Sequence, residues 1–276
     1  MPTLSNIKNF VKICVLLLIL LMQVANGAQN NLNNESKNIA LFCAVDQDNL
    51  LLIDSLINSG ADINSLNEQG DPALYIAVDR NNLAMVDLLI RKGANVNIAN
   101  QQRQTPLHKA IYKNNLVMVE ILIKNGANIN AVNSYGSAPL HYVLNSEIAD
   151  LLIKSGANVN LLADYGATPL HYATSEVAEV LIKNGAKVDA TNKNGFTPLH
   201  IVASEGDAET VKILIKNGAN VNALDNDGSA PLHYATSEVA EVLIKNGAKV
   251  NLRNKAGHLP LDNIKFRDDT VDICSQ

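Results

Sequence analysis

Apolar residues along this chain come in short groups at helical spacing, set between polar breaks rich in Gly and Asn. The stretch from Thr197 to Gly228 shows the pattern. Leu199, Val202 and Ala203 share one helical face, and Val211, Leu214 and Ile215 form a second at i, i+3, i+4. Thr197 is an N-cap by residue type. Pro198 suits the first helical position, where a missing N–H costs nothing. Gly206 marks a turn between the two faces. Gly218 stops the second helix, as the residue that tolerates a left-handed C-cap. Val221 is expected to be extended, and Asp225 to Gly228 is a turn signal. The predicted unit is helix, turn, helix, then a protruding turn.

Two helices this short cannot bury their apolar faces alone. Stacked copies can, with small residues such as Ala173 and Ala235 allowing close approach. The copies are present. A motif leucine recurs at Leu41, Leu74, Leu107, Leu140, Leu170, Leu199, Leu232 and Leu261, in steps of 33, 33, 33, 30, 29, 33 and 29 residues. The words around it include TPLHKA, APLHYV, TPLHYA and TPLHIV. A second word follows each of the first seven leucines: SGADIN, KGANVN, NGANIN, SGANVN, NGAKVD, NGANVN and NGAKVN. The twenty residues from Pro169 to Val188 return unchanged from Pro231 to Val250, 62 positions later.

The units starting near Asn133, Ala163 and Asp225 are short by three or four residues, and the loss falls on the first helix and its turn. Four residues are close to one helical turn of about 3.6, so the apolar faces keep their phase. The wall formed by the first helices is expected to be lower at these three places. The shortening reads either as tolerated drift or as a notch shaped for one partner. The unchanged twin block favours recent copying of two units.

A period near 33 carrying TPLHxA and GAxVN resembles the ankyrin repeat, over residues 38 to about 270. The resemblance implies an all-α solenoid of stacked helix-turn-helix units with β-turn fingers and a concave binding face. It also implies a module that binds other proteins and is not an enzyme. The units run at about 38–66, 67–99, 100–132, 133–162, 163–191, 192–224, 225–253 and 254–276. The first lacks the motif Pro and His, and the last lacks the second Gly-Ala word, so both read as caps.

Composition narrows the picture. The chain is 47% hydrophobic but only 4% aromatic, without Trp, which favours thin aliphatic layers over one thick core. A net charge of −5 argues against a nucleic-acid binder, which needs a basic face. Residues 1–27 have the pattern of a secretory signal: Lys8 and Lys12, an apolar run from Ile13 to Met22, then Ala25 and Gly27 before a cut at Ala28. An uncleaved membrane anchor is the alternative. Residues 28–37 form a polar leader. Cys43 and Cys274 fall in the first and last units, seven steps of about 10 Å apart. A disulfide needs Cα atoms within about 7 Å, so both are expected to be unpaired.

Candidate chemistry is sparse. His108, His141, His171, His200 and His233 share one motif slot, and the resemblance assigns them to ordering the start of the first helix. Their spacing of about 10 Å is too wide for a shared metal. Asp225 to Gly228 fails as a calcium loop, because Ala223 and Tyr234 would stand at the first and last ligand positions. No nucleotide, metal or nucleophile motif occurs, so no cofactor is expected. Tyr142, Tyr172 and Tyr234 follow the motif His and are expected to pack in the helix layer. Tyr135, Tyr165 and Phe196 lie in fingers, and Tyr112 and Lys113 at the end of a first helix. These five are the candidate partner contacts. The expected function is an exported, monomeric module that binds an unidentified protein, without nucleic acid and, after signal cleavage, without membrane. The Asn-, Ile- and Lys-rich wording resembles the small ankyrin proteins of obligate intracellular bacteria, some of which act on host proteins. A structural or protective role in the periplasm is the alternative.

Overall fold

A computed structural model describes residues 34–262. The signal stretch, the C-terminal end of the last cap and Cys274 lie outside the described residues. The chain divides into two compact units, 1–128 and 129–276. Within the described residues both are built of helices and turns. Beyond helices and turns, the described residues hold one isolated antiparallel bridge, between Leu66 and Pro72.

The first unit contains α1 (Asn34–Asp46), α2 (Leu50–Asn58), α3 (Ala73–Asp79), α4 (Leu83–Arg91), α5 (Pro106–Tyr112) and α6 (Leu116–Lys124). They form three hairpins. The first helices α1, α3 and α5 pack in one row, and α2 packs on α4 in a second. Each second helix opens on an asparagine. Asn49, Asn82 and Asn115 accept the backbone N–H of Leu52, Met85 and Met118, closing one of the free N–H groups at each helix start. The layer between the rows is filled by Leu41, Leu74 and Leu107 from one side and Leu56, Leu89 and Leu122 from the other, all buried. Cys43 is buried in α1.

The second unit shows what the shortened repeats do. Its first helices are η1 (Pro139–Tyr142), η2 (Pro169–Tyr172), α9 (Pro198–Glu205) and η3 (Pro231–His233), and its second helices are α7 (Ser146–Lys154), α8 (Ser175–Lys183), α10 (Ala208–Lys216) and α11 (Ser237–Lys245). Three of the four first helices have shrunk to a single 3-10 turn, a form that proteins use in pieces this short. Leu140, Leu170 and Leu232 stay buried as Leu199 does, so the missing turn leaves the shared core in place.

Two local expectations need correction. Val221 lies in a turn closed by Ala223 N–H on Asn220 O at 3.0 Å, not in an extended stretch. In α10 the buried set is Thr210, Val211, Ile213 and Leu214, with Ile215 only half-buried. This helix packs on α9, α8 and α11, so it hides a wider arc than a helix with one buried face.

Three kinds of bond join successive repeats in the second unit. The motif His is the first. Its Nδ1 accepts the backbone N–H of the residue three before it, from Ala138, Thr168, Thr197 and Ala230 to His141, His171, His200 and His233. The ring proton therefore sits on Nε2. That nitrogen donates to the next finger, at Ala167 O, Phe196 O, Ser229 O and His258 O, over 3.0 to 3.3 Å. The last residue of the GAxVN word is the second. Asn130, Asn160 and Asn222 donate to the carbonyls of Gly156, Gly185 and Gly247, and accept from Asn158, Lys187 and Lys249 N–H. The third joins finger to finger.

Candidate functional site

The fingers of the second unit are tight turns. Asn133, Asn192, Asp225 and Asn254 each fold a side-chain oxygen back onto N–H groups two and four residues on. Each finger then accepts one backbone bond from the next. Asp164 N–H donates to Tyr135 O, Lys193 to Tyr165 O, Asn226 to Asn194 O and Lys255 to Asp227 O, at 2.9 to 3.0 Å. At two fingers this close approach leaves no room for a side chain beside the turn. A Cβ on Gly136, at φ +66, would sit 2.8 Å from Asp164 N, and one on Gly195, at φ +81, 2.7 Å from Asn226 N.

This ladder sets Tyr135 and Tyr165 on neighbouring finger tips. Their side chains are 63% and 71% exposed. The structure therefore brings these two candidates together. Phe196 occupies a different setting. It is half-buried, stacked on His200 with ring centroids 5.7 Å apart, and edge-on to Tyr234 at 5.3 Å. In the first unit, Tyr112 is 78% exposed at the end of α5, with Lys109 Nζ 5.8 Å from its ring centroid. Lys113 pairs with Asp79 at 2.9 Å, and Lys109 pairs with the same carboxylate at 3.2 Å. Burial alone would push the Asp79 carboxyl up, but hydrogen bonds from Lys113 and Lys109 bring it below the usual range.

The three tyrosines assigned to the helix layer do not pack there. Tyr142 and Tyr234 are half-buried, and each reaches the base of its own finger: Tyr142 Oη accepts from Asn133 Nδ2 at 2.9 Å, and Tyr234 Oη donates to Asp225 Oδ2 at 2.6 Å. Partial burial, then the bond to Asp225, pushes the Tyr234 hydroxyl up to about 12. Tyr172 is 50% exposed. Its finger begins with Ala163, which has no polar side chain to hold it. The shrunken first helix is the common cause. A single turn leaves no helical face to cover a ring that follows the His.

His141, His171, His200 and His233 are structural, each committed at both ring nitrogens. Burial pushes the imidazoles of His141, His171 and His200 below their ordinary range. Among the described residues no three His, Cys, Asp or Glu stand so as to hold a metal ion, and no helix is long and apolar enough to cross a membrane. The GAxVN asparagines had no assigned role in the sequence. Their recurrence in six of the seven second words was the available signal.

A family model described as ankyrin repeats (3 copies) matches residues 8–100, 41–133, 78–163, 131–192 and 174–254. The chain belongs to the ankyrin-repeat family. The ankyrin repeat domain of Bcl-3, described as a unique member of the IkappaB protein family, is 30% identical over 70% of this chain and 94% of that one, with a TM-score of 0.56. The human ASB11 ankyrin repeat domain is 25% identical over 76% of this chain and 98% of that one, with a TM-score of 0.65. No curated protein matches this ankyrin-repeat chain. Ankyrin repeats make it a protein–protein interaction module, on a scaffold that is typically without catalytic chemistry.

Proposed function

We propose that this ankyrin-repeat chain captures a protein partner through its finger tips, with Tyr135 and Tyr165 as the paired anchors. The observation that carries this reading is the backbone bond from Asp164 to Tyr135 O. It holds two exposed aromatic rings on adjacent, rigid turns. Rigid aromatics give contact area at low entropic cost, and a few such anchors dominate an interface. On the first unit, exposed Tyr112 with Lys113 next to it in sequence is a separate candidate contact.

The test is photo-crosslinking from position 135 or 165 in the source cell, with capture by full-length chain as the readout. Tyr135→Ala with Tyr165→Ala should weaken capture of the crosslinked partner at least tenfold, whereas Glu179→Ala on an exposed helix face should not. Undiminished capture by the double variant would remove the anchors from this role.

The second part of the proposal is export by the N-terminal signal, to act on host proteins of an intracellular bacterium or to serve in the periplasm. The charged start, apolar run and small residues before Ala28 support it. One observation favours a retained segment instead. The first family match begins at residue 8, and Gly27-Ala28 precedes Gly60-Ala61 by the repeat period of 33. The intact mass of the protein from its own cell separates the two. A mature chain beginning at Ala28 supports export, and one retaining residues 1–27 supports retention.

A further inference from the structure

The shortened first helices leave a step in the second unit, above η1 and η2 and beside the full-length α9, which packs on η2. A lost helical turn lowers the wall by about 5.4 Å. The floor of the step is apolar. Leu144, in the link from η1 to α7, is 64% exposed, and Tyr172 is half exposed at the end of η2. The Tyr172 ring lies 6.4 Å from that of His141, so the two segments form one surface.

The rim is acidic. Glu147 and Glu176 are exposed in the first turns of the neighbouring helices α7 and α8. Glu205 closes α9, with Asp207 two residues on. Residues 139–150, 169–180 and 198–211 contain no Lys or Arg. In the same repeats Lys154, Lys183 and Lys216 sit at the far ends of the second helices, Lys187 and Lys193 lie beyond α8, and Lys212 in α10 is paired with Glu209 at 3.1 Å. The helix dipole accounts for an acid in a first turn. It does not account for Glu205, at the C-terminal end of α9, where an anion is disfavoured. Partial burial, and then Asp207, push the Glu205 carboxyl above its ordinary range. The rim is short of positive charge.

We infer that this step docks a basic amphipathic segment of a partner protein, with apolar side chains on Leu144 and Tyr172 and Lys or Arg against Glu147, Glu176 and Glu205. Complementary charge would steer such a segment and fix its register, while the apolar floor supplies the contact. The step is separate from the finger tips, so the inference does not rest on the reading above.

The probe is a labelled 14-residue Leu/Lys amphipathic helix, titrated with full-length chain by fluorescence anisotropy. Two variants, Glu147→Lys with Glu176→Lys and Glu205→Lys, and Leu144→Ser with Tyr172→Ser, should each raise its Kd at least tenfold with unchanged urea midpoints. A charge-matched control, Glu120→Lys with Glu179→Lys and Glu241→Lys, should leave Kd within threefold. So should Tyr135→Ala with Tyr165→Ala, which separates failure here from failure of the finger-tip anchors. Equal loss in the charge-matched control would reduce the binding to the general field of an acidic protein and overturn the site. Loss in neither step variant, no binding at all, or equal binding of a peptide with Glu for Lys would also overturn it.

Discussion

Tyr172 and Tyr234 hold the same place in two identical twenty-residue blocks, yet only Tyr234 is anchored. The difference comes from outside the blocks. Nine residues upstream, Tyr234 meets Asp225 where Tyr172 has Ala163, and the finger before it offers Phe196 where Tyr172 has Ser137. Identical sequence thus takes two structures because each repeat is finished by its neighbours. Tyr234→Phe should destabilise the chain by about 1–2 kcal/mol, the worth of a hydrogen bond to a carboxylate in a partly exposed place. Tyr172→Phe should stay within about 0.5 kcal/mol. Urea unfolding midpoints of the two variants make the comparison.

The histidine ladder makes stability depend on pH. His141, His171 and His200 have folded values below the ordinary one of about 6.5, because burial disfavours the cation. Protonation would also put a proton on Nδ1, which is already accepting a backbone N–H. The unfolded chain therefore binds protons first as pH falls. Their contribution is whole above pH about 7 and declines from about 6.5 downward, by up to about 1.4 kcal/mol per pH unit for each imidazole. Urea midpoints should be flat from pH 7 to 8 and drop between 6.5 and 5.5. His171→Gln should make that drop shallower. A midpoint that holds down to pH 5.5 would contradict the ladder.

Two glycines with similar backbone angles should respond differently to alanine. At Gly185, φ +88, an added Cβ would meet nothing within 4 Å, so Gly185→Ala should cost only the left-handed strain of about 1–2 kcal/mol. At Gly136, φ +66, the Cβ would also meet Asp164 N at 2.8 Å. Gly136→Ala should cost about 3 kcal/mol or more and speed amide exchange at Asp164, measured by hydrogen–deuterium exchange.

The asparagine ladder has one altered step. Asp189 accepts Asn220 N–H at 3.0 Å, but a carboxylate has no N–H to give, whereas Asn160 and Asn222 each donate to a glycine carbonyl at 3.0 Å. Asp189→Asn should raise stability by about 0.5–1 kcal/mol, seen as a higher midpoint at unchanged m-value.

Much of this architecture was legible in the residues. The motif leucines, the Thr-Pro start and the stop at Gly218 depend on neighbours close in sequence, and the structure keeps them. The capping role of the histidines came from the family resemblance and not from the residues alone, and neither gave their forward bond, whose acceptor lies 25 to 29 residues away. The tyrosines were misread because a helical face was assumed where only one turn survives. Exposure of Tyr135 and Tyr165 followed from their place in a turn. The burial of Phe196 did not, since it depends on Tyr234 in the next repeat.

The imidazole and asparagine bonds share a further property. In each, the earlier repeat contributes a side chain, and the later one offers only main-chain atoms. The receiving side is thus generic, and any successor of the right backbone fits any predecessor. A gene that duplicates such a segment inherits working joints at both seams, without a second, compensating mutation. The route to a longer protein is open in a way it is not for folds whose joints need matched side chains.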